Sequence, residues 1–348
     1  MIHSPTGAAA PSILVWGAGA IGATVGAALV RAGYDVTFVD TVAEHVAAMA
    51  DPAQGLRIEG PVAPHHVRAL RAFTPDMLKG KFSCVLLAVK SQYTDAAMRA
   101  VLPHLTDDGY VVSLQNGMCE PTIAAHVGWA RTIGAFVNFS ADWIAPGQVM
   151  YGGRGAFVLG EADGRITHRL RALHDMIRVF EPDAIMTDNI FGYLWGKLGY
   201  VSLLFAQGLG EMGIADCLAR PELEGLWRKL AGETMAVSQA EGVTPIGFNG
   251  FAPAAFMPGA TARQAHDSIA AMVAFNRPNA KTHSGIWRDL WVRHRRTEVD
   301  AQIGYVVACA DRHAIACPAL KGLVRQIHEC EDGTRPMSDM NLAELASL

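Results

Sequence analysis

The chain offers little on which a disulfide framework or a dithiol centre could be built. Its six cysteines (Cys84, Cys119, Cys217, Cys309, Cys317, Cys330) contain no CxxC pair. Several lie in apolar stretches, where a reduced thiol packs as a small hydrophobe, so a reducing compartment is expected, the cytoplasm. Charge is also scarce. Only 18% of residues are charged, and 29 Lys+Arg against 33 Asp+Glu leave a net charge of -4, which gives no electrostatic reason to bind nucleic acid or an anionic membrane surface. The richest apolar window, 190–209, is broken by several glycines, Lys197, Ser202 and Gln207, too often for a membrane span. The thirteen histidines form neither HExxH nor a Cys/His ligand spacing, so no metal is expected. Residues 1–12 lack a basic start followed by an apolar run, which predicts a loose tail over 1–11 rather than a secretory signal. What is present is an ordinary globular composition, 51% apolar over 348 residues. That length exceeds what one core usually serves, so two domains are expected. Small molecules, or a second copy of the chain in a homodimer, are the expected partners.

Ile13-Leu14-Val15-Trp16 reads as a short buried strand ended by glycines, and 21–31 as a closely packed helix stopped at Gly33. Residues 34–39 read as a second strand, completing one βαβ unit. Strands at 85–89 and 110–114, with a helix over 94–102 between them, continue the alternation of a parallel, doubly wound Rossmann-type α/β domain. Runs at 133–139, 147–151 and 156–160, separated by Pro146-Gly147 and Gly152-Gly153, predict hairpins that extend the sheet. His65-His66 reads as a polar loop pair. Beyond Thr187 helical stretches take over, at 189–205, 221–241, 261–275, 297–312 and 319–331, so the second half reads as an all-α domain. The expected domains are 1–187 and 188–348, with Asp188 as a cap for the first long helix.

Gly17-Ala18-Gly19-Ala20-Ile21-Gly22 is a GxGxxG motif directly after a strand and opening a helix. In that setting the first glycine allows a tight turn, the second lets backbone approach a pyrophosphate, and the third lets helix pack on strand. Gly17, Gly19, Ala20, Ile21 and Gly22 are therefore the expected cofactor cradle. Asp40, at the end of the second strand, can accept hydrogen bonds from adenosine ribose hydroxyls and would repel a 2′-phosphate; it can also simply cap the following helix. No Lys or Arg lies between Arg31 and Arg57, and His45 is the one nearby candidate cation, so the local chemistry favours NAD(H). Two further segments follow strands at the ligand-binding edge: Lys90-Ser91-Gln92 and Gln115-Asn116-Gly117. Lys90 can reach a ribose or phosphate, and Asn116 can orient the nicotinamide ribose or a substrate carbonyl. A solvated lysine and an Asn-Gly turn are the plainer readings.

Between Asp188 and Glu211 the only charged side chain is Lys197, in a helix apolar on all sides and therefore expected to be buried. Burial favours a neutral amine, which suits a proton donor near neutral pH; snorkelling to the surface is the alternative. Glu298 stands where polar residues open another helix. It can accept from a substrate hydroxyl or merely favour the helix dipole.

Taken together, Gly17-x-Gly19-x-x-Gly22, Lys90-Ser91-Gln92, Gln115-Asn116-Gly117, Trp195-x-Lys197-Leu198 and the run from Ser284 through Thr297-Glu298-Val299-Asp300 resemble the ketopantoate reductase (2-dehydropantoate 2-reductase) family over residues 12–330. The resemblance implies a Rossmann domain that holds NADP(H) and a helical domain that closes over the keto acid, with reduction of 2-dehydropantoate to pantoate in pantothenate biosynthesis as the activity. It further implies Lys197 as general acid, Glu298 as acceptor for the substrate hydroxyl, Asn116 as a contact to cofactor and substrate, Ser284 as a carboxylate contact, and Lys90 and Gln92 beside the cofactor. Val201 stands where the family commonly has asparagine, Gly285 where it has a second serine, and Asp40 where many members place a basic residue. Residues 331–348 extend past the usual end. The alternatives these departures leave open are a related oxidoreductase for another keto or imino acid, or a dinucleotide-binding regulator without turnover.

Overall fold

The computed structural model describes residues 11–279 and 282–348. Almost all of the tail expected over 1–11 lies outside them. The chain divides into two compact units, Met1–Ile190 and Phe191–Leu348.

The first unit is built on an eight-stranded sheet. In chain order the strands are β1 (Ile13–Trp16), β2 (Val36–Val39), β3 (Leu56–Glu59), β4 (His65–Val67), β5 (Arg71–Phe73), β6 (Phe82–Leu87), β7 (Leu105–Ser113), β8 (Thr132–Val137), β9 (Ser140–Ala145), β10 (Gln148–Gly153), β11 (Phe157–Glu161) and β12 (Ile185–Met186). The main sheet has the order β12-β11-β8-β7-β6-β1-β2-β5. From β8 to β5 all neighbours are parallel, and β11 adds antiparallel to β8. Helices α1 (Ala20–Arg31), α2 (Ala43–Ala50), α3 (Thr94–Val101), α4 (Glu120–Val127) and α5 (His168–Ile177) make the crossovers and cover the sheet. Strands β1 and β2 are buried along their whole length, as expected when helices cover both faces of a parallel sheet.

Two expectations need correction. The run at 147–151 forms β10, which does not extend the main sheet. It belongs to a second sheet, β4-β3-β10-β9, because β10 pairs in parallel with β3 through Gln148↔Arg57, a contact far away in sequence. His65 and His66 are not loop residues either. They form β4, antiparallel to β3, with His65 Nδ1 bonded to the Ala63 carbonyl and His66 Nε2 to the Gln54 carbonyl.

The second unit is helical among its described residues: α6 (Ile190–Gly208), α7 (Ile214–Leu218), α8 (Glu224–Ala240), α9 (Ala262–Asn276), α10 (Gly285–Trp291), α11 (Tyr305–Arg312), α12 (Pro318–Glu331) and α13 (Met340–Ala346). Strand pairing there is limited to a single bridge, Phe248↔Phe251. Helix α6 starts at Ile190, so Asn189, and not Asp188, stands immediately before it; the Asn189 N–H donates to Thr187 Oγ1. The stretch expected as one helix over 297–312 opens with a π-helical turn, Asp300–Gly304, before continuing as α11. All six cysteines are free thiols, and five are buried. Burial pushes Cys84 and Cys217 up to about 12, which keeps them protonated and unreactive. No helix among the described residues is long and apolar enough to cross a membrane.

Candidate active site

In the first unit the loops that follow β1, β2, β6 and β7 gather on one edge of the sheet. Register enforces this: Trp16 pairs with Val39 and Leu87, and Leu87 with Ser113. The ladder continues into the loops through Gly17 N–H to Val39 O, Ala88 N–H to Trp16 O and Leu114 N–H to Leu87 O, each 2.8 Å. The chain runs from β1 to β2 on one side and returns to β6 on the other, so the glycine turn lies at the switch point where such sheets bind ligands.

The three glycines occupy three different environments. Gly17 has φ +95°, and a Cβ there would meet the β6 loop at Val89 N, 2.7 Å away. A Cβ on Gly22 would lie 2.0 Å from the Gly17 carbonyl oxygen, the tightest approach of helix to turn. A Cβ on Gly19 would have nothing within 4 Å. Turn, packing contact and open face are what a dinucleotide cradle requires of its glycines. Gly19 stands at the N-cap of α1 with no side-chain cap, and no acidic residue lies in the first turn. Half-buried Ala20 and Ile21 supply the first helical amides, and the positive end of the helix dipole favours an anion there. The residues present therefore fit the cofactor.

Asp40 is half-exposed at the end of β2, and its Oδ1 accepts the Val42 N–H at 3.0 Å, steadying the turn into α2. His45, the one candidate cation for a 2′-phosphate, is not available for that role. It is 1% exposed, its Nε2 lies 2.8 Å from the Ala18 carbonyl, and its Nδ1 accepts the Gly147 N–H at 2.9 Å. Lys90 is half-buried and Gln92 exposed in the turn after β6. Asn116 is exposed in the turn after β7, followed by Gly117 at φ +87°. Gln115 stands in the sequence motif with no role assigned to it: its side-chain amide donates to the Val89 carbonyl and to Thr94 Oγ1, bracing the β6 and β7 loops together.

In the second unit, Lys197 is the only charged residue of α6 and is half-buried rather than engulfed. At 100° per residue, Tyr193, Lys197 and Leu204 fall within about 40° of one another, and all three are partly exposed while most of the helix is buried. Lys197 thus stands on a partly exposed stripe of a mostly buried helix, with Phe191 the other half-buried residue on a different face. Ser284 is 6% exposed and is the N-cap of α10, its Oγ accepting the Trp287 N–H at 3.0 Å. Glu298 is half-buried, immediately before the turn of helix that leads into the π-helical segment. The residues around it are clamped. The Glu331 side chain, 1% exposed, accepts from both the Thr297 N–H and hydroxyl, and also contacts His328 Nδ1, while His328 Nε2 reaches Asp300 Oδ1 at 2.9 Å. Nothing local in the sequence pointed to this network, because its members come from two segments about 30 residues apart.

A glycine cradle at the switch point of a parallel sheet defines a dinucleotide-binding α/β unit, here followed by a helical one. Comparison with known proteins makes this specific. Residues 13–164 match the ketopantoate reductase PanE/ApbA family profile and residues 189–331 its C-terminal counterpart. The 2-dehydropantoate 2-reductase of Archaeoglobus fulgidus is 25% identical over 322 residues, covering 92% of this chain and 98% of that protein. A PanE/ApbA family ketopantoate reductase from Ralstonia eutropha JMP134 superposes with a TM-score of 0.77 at 26% identity, over 92% and 98% of the two chains. A D-mandelate dehydrogenase solved with NADH and anilino(oxo)acetate shares the fold, with a TM-score of 0.78 at 20% identity over the same shares. The chain belongs to the ketopantoate reductase family and is an NAD(P)H-dependent oxidoreductase.

Proposed function

We propose that the protein reduces a small branched 2-keto acid to the 2-hydroxy acid, with 2-dehydropantoate as the default substrate and NADH as the preferred cofactor. The observation that carries this reading is Lys197, the single charge on α6, held on that helix's partly exposed stripe. The bound nicotinamide supplies the hydride. Addition to the ketone carbon leaves an alkoxide, and the Lys197 ammonium donates the proton that neutralises it. Asn116 orients cofactor and substrate, Ser284 takes the carboxylate, and Glu298 accepts the substrate hydroxyl; Lys90 and Gln92 contact the cofactor. Support for the roles comes from the match of these motifs to the family. Support for NADH comes from Asp40 at the end of β2 and from the engagement of both His45 nitrogens within the fold.

Replacing Lys197 by Ala should lower kcat by about 10²–10⁴, the usual worth of a general acid, with cofactor affinity within about twofold. Near-wild-type turnover in that variant removes Lys197 from the mechanism. A panel of keto and imino acids with NADH and NADPH then tests substrate and cofactor. Val201 and Gly285 give the panel its purpose, since a kcat/KM at least tenfold higher for another acid would displace 2-dehydropantoate.

A further inference from the structure

We infer that His45 is a positioning residue for the cofactor turn, acting as a neutral imidazole that sets the direction of the Gly19 amide. It rests on the dinucleotide reading of the glycine turn and adds a residue outside the motif.

The ring belongs to α2, yet its two nitrogens bond to two other segments. Nε2 lies 2.8 Å from the carbonyl oxygen of Ala18, 27 residues away, and Nδ1 lies 2.9 Å from the amide of Gly147, 102 residues away. A carbonyl can only accept and an amide N–H can only donate, so Nε2 carries the proton and Nδ1 is the acceptor. The ring is therefore the neutral Nε2–H tautomer. An imidazolium would set an Nδ1–H against the Gly147 N–H, and the other neutral tautomer would lose both bonds.

The consequence for the glycine turn follows from peptide geometry. The Ala18 carbonyl and the Gly19 N–H belong to one planar trans unit and point in opposite directions. Holding the carbonyl on the His45 side therefore turns the Gly19 N–H to the other side. Gly19 is also the glycine whose absent Cβ leaves open space, and the next carbonyl, its own, is already committed to the Ala23 N–H at 2.9 Å. The Ala18–Gly19 peptide is thus the one whose orientation the helix does not set.

The far end of the strap is held by the second sheet. Gly147 sits in the β9–β10 turn at φ +71°, and its carbonyl accepts the Arg57 N–H at 2.8 Å. Trp143 on β9 packs edge-on against the imidazole, with centroids 6.0 Å apart. The second sheet thereby serves as the anchor from which His45 reaches the cofactor turn.

The test compares wild type, His45→Leu and His45→Gln, since Gln keeps one donor and one acceptor while Leu keeps neither. The dissociation constants of NADH and NADPH are read by nicotinamide fluorescence, and kcat and keto-acid KM are read at saturating cofactor. Loss of the bond that orients the amide should weaken cofactor binding about tenfold in His45→Leu. His45→Gln should stay within about threefold, with kcat and keto-acid KM unchanged in both. ¹⁵N NMR of wild type, which needs no variant to fold, should show the His45 Nε2–H tautomer. Cofactor binding in His45→Leu equal to wild type, or a cationic or Nδ1–H ring, overturns the inference. Wild type that binds neither dinucleotide overturns the dinucleotide reading itself, a distinct failure.

Discussion

At the scale of single residues, the cofactor turn separates two kinds of glycine that the motif writes identically. A methyl group on Gly22 would stand 2.0 Å from the Gly17 carbonyl, so Gly22→Ala forces helix and strand apart. It should cost about 1–3 kcal/mol, the range for overpacking a close contact. A methyl on Gly19 meets nothing within 4 Å, so Gly19→Ala should unfold within about 1 kcal/mol of wild type in urea while its cofactor affinity drops. Equal stability losses in the two variants would contradict this division. The motif was fully legible in the sequence because the chemistry of a tight turn is local. His45 was legible only as a nearby histidine, and its reading as a phosphate cation failed because both nitrogens are consumed inside the fold.

Secondary-structure elements show the same boundary between local and distant causes. The helix expected over 261–275 is observed as α9, Ala262–Asn276, opened by a capping box between Thr261 and Gln264. Its signals all lie within one turn of its ends. By contrast, the segment that carries Glu298 depends on α12. Partial burial pulls the His328 imidazole down, but its hydrogen bonds to Glu331 and Asp300 and the charges of those carboxylates outweigh it, so the net shift is up from 6.5. Both ring nitrogens face carboxylate acceptors, an arrangement that suits the imidazolium. With the folded value raised, the stabilisation is complete below about 6.5 and is lost as pH rises through the folded value. The unfolding free energy should therefore fall modestly above neutral pH, by about 1 kcal/mol or less, because the imidazole is partly solvated and Asp300 is exposed. His328→Gln should flatten that slope, measured by urea unfolding between pH 6 and 9. An unchanged slope would remove His328 as its source.

For the whole chain, the last eighteen residues are anchored to the helical unit through buried Asn341, Leu342 and Leu345 rather than hanging as an appendage. The Leu209 carbonyl, just past the end of α6, accepts from the Ser338 amide at 2.9 Å and the Asn341 side chain at 3.3 Å. Leu342 and Leu345 of α13 are 1% and 0% exposed, and Arg335 ties Glu329 to Glu344. Two buried leucines are worth about 3 kcal/mol at the low end. Ending the chain at Arg335 should therefore lower the Tm by about 6–12 °C in a calorimetric scan, and an unchanged Tm would show α13 to be dispensable. The division of labour between sequence and fold is a matter of range. Glycine spacing, the switch from strand to helix patterning near residue 188, and the solitary Lys197 are properties of neighbours, so composition and order alone determined a dinucleotide-binding α/β domain, a helical half and one ammonium on an apolar helix. Which sheet β10 joins, what occupies His45, how Glu331 grips the segment before Glu298, and how far Lys197 is exposed were decided only by the folded chain, because each depends on groups that come together only once separate elements have packed.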